Sequence, residues 1–195
     1  MTADELDALL RDRFDLSLAD LVPALKTLPA RDYSSGSLSP GEAQLLDHAD
    51  FPAVPERVAE GALDVVVLIA QLIKSAYSAA DVAAGLGVSN SAVEQRRRAR
   101  TLWAVDVDGS CVYPAAQFTR ASSGGRPALE LVRNLDRVLP ALPEDLHPAA
   151  IAGFLSSPQH DLILYRRTCT VREWLTGGGA VESVLQLIEM NCWAS

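Results

Sequence analysis

At 195 residues and 49% hydrophobic content, the chain is long enough to bury a real core and too apolar to be a disordered tail. A formal net charge of −8 argues against indiscriminate binding to nucleic acid. The charge is uneven: residues 1–77 carry 6 basic and 13 acidic side chains, residues 78–126 carry 6 and 4, and residues 127–195 carry 5 and 8, so only the middle third is positive.

Leu6, Leu9 and Leu10, then Leu18, Leu21 and Leu25, predict two short amphipathic helices over residues 4–28. Residues 31–40 form a polar connector ending in Ser39, which suits an N-cap with Pro40 in the first turn and Glu42 at the third position, and a helix to about Asp47 follows. The longest and most apolar helix is expected from about Pro55 to Tyr77, with Val58, Ala62, Val65, Val66, Ile69, Leu72, Ile73 and Tyr77 at helical spacing. A stripe this broad needs cover on two sides, as a central core helix, a dimer seam, or both.

The next segment carries the strongest signal. Val82, Ala83 and Leu86 give a short amphipathic helix that Gly87 stops, because glycine takes up the left-handed backbone that turns one helix sharply into another. Val88 plugs the corner, Ser89 or Ser91 caps a second helix from about residue 90, and Ser91-x-x-Glu94 has capping-box spacing. Ala83 and Val93 supply the small and the branched apolar residue where two such helices meet. With Val93 inward, Asn90, Ser91 and Gln95 are candidates to read base edges in a major groove, Ser89 sits beside them as the cap, and Arg97, Arg98 and Arg100 are candidates for phosphate contact, with Arg96 able to serve either way.

After Arg100 the period falls to two: Leu102 to Val107, Asp108-Gly109, then Ser110 to Tyr113, a hairpin that would form a wing. Trp103 reads as core. Pro114 fits the first turn of a helix carrying Gln117 and Phe118, with Phe118 returning to the core.

From Pro127 the spacing of Leu129, Val132, Leu135, Val138 and Leu142 predicts a helix broken near Pro140 and Pro143. His147-Pro148 opens another, with Ile151, Phe154 and Leu155 inward, which ends at Ser156-Ser157-Pro158. Thr170-x-x-Glu173 is a capping box ahead of Trp174-Leu175, Gly177-Gly178-Gly179 ends that helix, and a last helix runs from Val181 to Met190. Trp174 is either a core residue or a partner contact; Trp193, near the chain end, is either disordered or an anchor in a partner's pocket.

The run from Phe154 to Gln159, then Thr170 to Gly178 and the helix from Val181, resembles the toxin-binding domain of the Xre/MbcA/ParS antitoxin group. Together with Gly87-Val88-Ser89 and Leu102-Trp103-Ala104-Val105 it is similar to actinobacterial DNA-binding proteins of that plan, over roughly residues 78 to 190. The resemblance implies a regulator that represses its own operon and docks a RES-type toxin, which degrades NAD, through Arg172, Trp174, Leu175 and the tail with Trp193.

The expected fold is therefore mainly α: a helical N-terminal region over residues 1–77, suited to dimerisation, a winged helix-turn-helix with one β-hairpin over 78–122, and a compact helical toxin-binding-like domain over 127–195. The expected function is a sequence-specific, homodimeric DNA-binding regulator of its own promoter; the alternative is a protein-interaction module or a stand-alone regulator without a toxin. Cys111, Cys169 and Cys192 have no metal-site spacing, and no catalytic triad or phosphate loop is visible, so neither an enzyme nor a cofactor is expected. The acidic start Met1-Thr2-Ala3-Asp4-Glu5 is unlike a secretory signal, and the apolar run Val65–Ala70 is too short for a bilayer, so a reduced, cytoplasmic setting without membrane contact is expected.

Overall fold

The computed structural model describes residues 2–27, 55–123 and 126–190. It is mainly helical with small antiparallel sheets, and it divides into two compact units, Met1–Ala70 and Gln71–Ser195.

In the first unit, α1 (Ala3–Phe14) starts on a capping box in which Thr2 and Glu5 satisfy each other's backbone amides. Asp7 accepts the Leu18 amide at 2.7 Å and so ties the start of α2 (Leu18–Thr27) to α1. Leu10, Leu16 and Ala24 are buried, but Leu9, Phe14, Val22 and Leu25 face solvent, so the two expected leucine stripes are only partly covered. The connector over 31–40 and the helix expected from Ser39 to Asp47 lie outside the described residues.

The long helix α3 (Pro55–Lys74) ends earlier than expected. Tyr77 is extended because Ser78 must cap the next helix, and Tyr77–Ser78 form strand β1. The last turn of α3 belongs to the second unit, where Leu72 joins the core.

That unit is built on two apolar clusters. The smaller gathers Val82 and Ala83 from α4 (Ala79–Leu86), Val93 from α5 (Asn90–Arg98), and Leu102, Tyr113 and Phe118. Tyr77 meets Phe118 edge to face at 5.7 Å. A three-stranded antiparallel sheet flanks the helix pair, in the order β1, β3 (Ser110–Tyr113), β2 (Val105–Val107). Asp108 and Gly109, both at positive φ, make the tight turn between β2 and β3 that the sequence predicts.

After Pro114 a single 3₁₀ turn, Ala115–Gln117, replaces the expected helix, and Phe118 is buried as anticipated. The chain then forms a hairpin that the helical spacing from Pro127 had hidden. Strand β4 (Phe118–Ser123) pairs with β5 (Arg126–Leu131) along its whole length, so Leu129 lies in a strand and packs over Gly85 of α4. The expected division between 122 and 127 falls at the tip of this hairpin.

The larger cluster holds Trp103 and Val105 together with Val132, Leu135, Val138, Leu142, Phe154, Leu155, Leu162, Val171, Leu175 and the buried face of the last helix. Its helices are α6 (Leu135–Val138), α7 (Pro148–Ser156) capped by His147, α8 (Val171–Thr176) on the Thr170–Glu173 capping box, and α9 (Val181–Met190). Between α7 and α8 lies a second unforeseen hairpin, β6 (Pro158–Leu164) with β7 (Arg167–Thr170), turned by Tyr165 and Arg166, both left-handed. The C-terminal part is thus a mixed layer of helices and two hairpins, not purely helical.

Gln117, fully buried, ties three separate stretches of the chain together beside the larger cluster. Its side chain accepts the Trp103 amide at 2.9 Å and donates to the Trp103 and Pro114 carbonyls at 2.6 and 3.2 Å, while its own carbonyl accepts the Val132 amide at 2.9 Å.

Candidate nucleic-acid interface

The turn between α4 and α5 is set by residue chemistry. Ser78 and Asp81 form a capping box that starts α4; Gly87 ends it at φ +67°, its amide returning to the Ala83 carbonyl, which also accepts the Val88 amide at 2.9 Å. Ser89 accepts the Ala92 amide at 3.2 Å and is the cap of α5. Ser91 is therefore inside the helix, its hydroxyl 2.8 Å from that of Ser89, and the expected Ser91–Glu94 capping box does not form.

Val93 is fully buried, so at about 100° per residue the opposite face of α5 carries Ser91, Gln95 and Arg98, all exposed. Asn90 and Arg96, on the flanks, are exposed as well. Of the residues expected to read bases, Ser91 and Gln95 thus share the open face, while Asn90 is exposed on its flank.

The arginines differ in how far the protein's own groups engage them. Arg97 lies toward the Val93 side and grips Glu94 with two hydrogen bonds, at 2.8 and 2.6 Å; Arg98 donates its Nε to the same carboxylate at 2.9 Å. These bonds hold the Glu94 carboxyl down to about 2, first through Arg97 and then through Arg98. Arg98 keeps both Nη groups free of partners among the described residues and is 75% exposed. Arg100 is a correction to the expected set. Left-handed at φ +57°, it turns its guanidinium into the body, donating to the carbonyls of Leu142 and Leu139 and pairing with Glu144 at 3.3 Å. It anchors the end of α5 and is not placed for a duplex.

Two residues missed by sequence reasoning govern this region. Glu94 could have been found from its i+3 and i+4 relation to Arg97 and Arg98, which stabilises such pairs on a helix. Gln117 gives no sequence signal, since nothing local marks an amide destined for burial.

The expected partner surface is less complete. Leu175 is fully buried and cannot contact a partner, which corrects that expectation. Trp174 is half-buried: its indole donates to the Ala180 carbonyl at 2.9 Å, and a β-carbon at Gly179 would overlap the ring. Arg172 is exposed, and its guanidinium donates to the Phe118 carbonyl at 3.1 Å in a partly buried bond. Trp193 lies outside the described residues.

Among the described residues no cluster of His, Cys, Asp or Glu could hold a metal, and no helix is long and apolar enough to cross a membrane. No protein-family model matches the sequence, and neither a curated protein nor a solved structure matches it.

Proposed function

We propose that the chain is a sequence-specific DNA-binding regulator of its own promoter, using a winged helix-turn-helix whose recognition helix is α5 and whose wing is the β2–β3 hairpin. The observation that carries this reading is the open face of α5: a glycine-terminated turn leaves Ser91, Gln95 and Arg98 in solvent opposite the buried Val93, within the one basic third of an acidic chain. The sheet order β1, β3, β2 beside the helix pair is consistent with it. Asn90 and Gln95 supply amide groups of the kind that bond adenine, while Arg96 and Arg98 supply cations for phosphate.

A homodimer on a two-fold site belongs to the same proposal, as does docking of a RES-type toxin, for which exposed Arg172 and half-buried Trp174 are the candidates left among the described residues. Titrating a fluorescent promoter duplex tests the DNA reading. The expected outcome is saturable binding that exceeds binding to random duplex; equal affinity for both, or none at low salt, counts against it. Co-expression with a RES-type protein encoded beside the gene tests the toxin arm through formation of a stable complex.

A further inference from the structure

A cleft of about 520 Å³ opens beside the C-terminal end of α5, with Arg97, Arg98 and Arg100 among its lining residues and Trp103, Leu146 and Ile151 among the apolar ones. That volume falls in the range of small-molecule sites. Its acidic lining residues are already engaged: Glu144 pairs with Arg100, and Asp106 accepts the Gly109 amide at 3.0 Å. Arg98 is different. Only its Nε is committed, to Glu94, which leaves the two Nη groups available as a fork.

We propose that this cleft binds a small organic carboxylate with a flat apolar body, the carboxylate held by the Arg98 fork and the body set against Trp103, Leu146 and Ile151. Apolar side chains beside a guanidinium with two free Nη groups favour an anion of this shape over a neutral molecule, because those groups offer charge-assisted, bidentate hydrogen bonds that a neutral group accepts less well. The site itself rests on the cleft alone. Its consequence rests on the DNA reading: Arg98 also lies on the open face of α5, so a bound carboxylate takes away one phosphate contact and weakens DNA binding.

The probe is 2-naphthoate, titrated by calorimetry into the full-length protein without DNA. One saturable site is expected, with the neutral 2-naphthamide binding about tenfold more weakly or worse. Arg98→Ala should weaken 2-naphthoate by a similar factor, and Leu146→Trp, which fills the cleft without changing charge, should abolish binding. The proposal is overturned by an absence of saturable binding into the millimolar range, by equal affinity for acid and amide, or by undiminished binding in Arg98→Ala. Should Leu146→Trp fail to fold, the exposed Arg98→Ala still decides. With promoter duplex present, 2-naphthoate should raise the apparent Kd for DNA; a protein that binds 2-naphthoate but no DNA keeps the site and sinks only the DNA reading.

Discussion

Glu94 and Arg100 both hold arginine chemistry in check, and they do so for opposite reasons. Glu94 sits on the flank of α5 and offsets two neighbouring guanidinium groups, so Glu94→Gln should free positive charge. Non-specific DNA affinity should rise, and the slope of log affinity against log salt should steepen by about one, measured by anisotropy on random duplex over a salt series. Arg100→Ala should leave that slope unchanged while lowering stability by about 1–2 kcal/mol, read from urea unfolding, because its bonds run to the protein's own carbonyls. A fall in slope with Arg100→Ala would return this residue to the phosphate-binding set. Gln95→Ala should instead change base preference by about 1–3 kcal/mol at one position of the site.

At the scale of elements, helix starts and stops carry the local stability. Gly87→Val forces a branched residue into the left-handed region at φ +67° and should cost about 1–2 kcal/mol, measured by thermal or urea unfolding. Two helices also depend on ionised glutamates. Arg167 and the Thr170 amide hold the Glu173 carboxyl at about 2, as Arg97 and Arg98 hold Glu94, against an ordinary value of 4.5. With the folded value depressed, these groups add stability above about pH 4.5 that is lost as pH falls toward 2. Carboxyl NMR titration should give midpoints near 2 for both, and Arg167→Ala should move Glu173 back toward 4.5 while leaving Glu94 in place. The same elements show what could be read in advance. Gly87, Ser89 and Val93 mark the helix turn because each has a local stereochemical or capping reason to be there. Asp108-Gly109 likewise announces its hairpin. The β4–β5 hairpin was hidden because the spacing of Leu129, Val132 and Leu135 imitated a helix across a strand, a turn and a short helix. The β6–β7 hairpin had none, since Tyr165 and Arg166 adopt positive φ without being glycine, asparagine or aspartate. Arg100 was misassigned for a related reason: the last residue of a basic run looks like its neighbours until the left-handed corner turns it inward.

At the scale of the molecule, residues 71–195 form one compact unit in which the β4–β5 hairpin packs Leu129 over Gly85 of the helix pair and leads through Val132, bonded to Gln117, into the C-terminal layer. Leu162→Ala, in the larger cluster, should cost about 2–4 kcal/mol, and amide exchange should accelerate at Val93 in the smaller cluster as well as around Leu162. Exchange confined to the C-terminal layer would mean two independently folding parts. The inward-turned guanidinium at position 100 carries a further consequence for recognition. Because the exit of α5 is bolted to the 139–144 segment, its orientation is settled during folding rather than on encounter, and a duplex would meet a surface whose ordering entropy has already been lost. Discrimination between sites then has to come from the DNA bending to fit or from side-chain rotamers at the tip of the helix, and loosening that bolt should broaden the range of sequences tolerated.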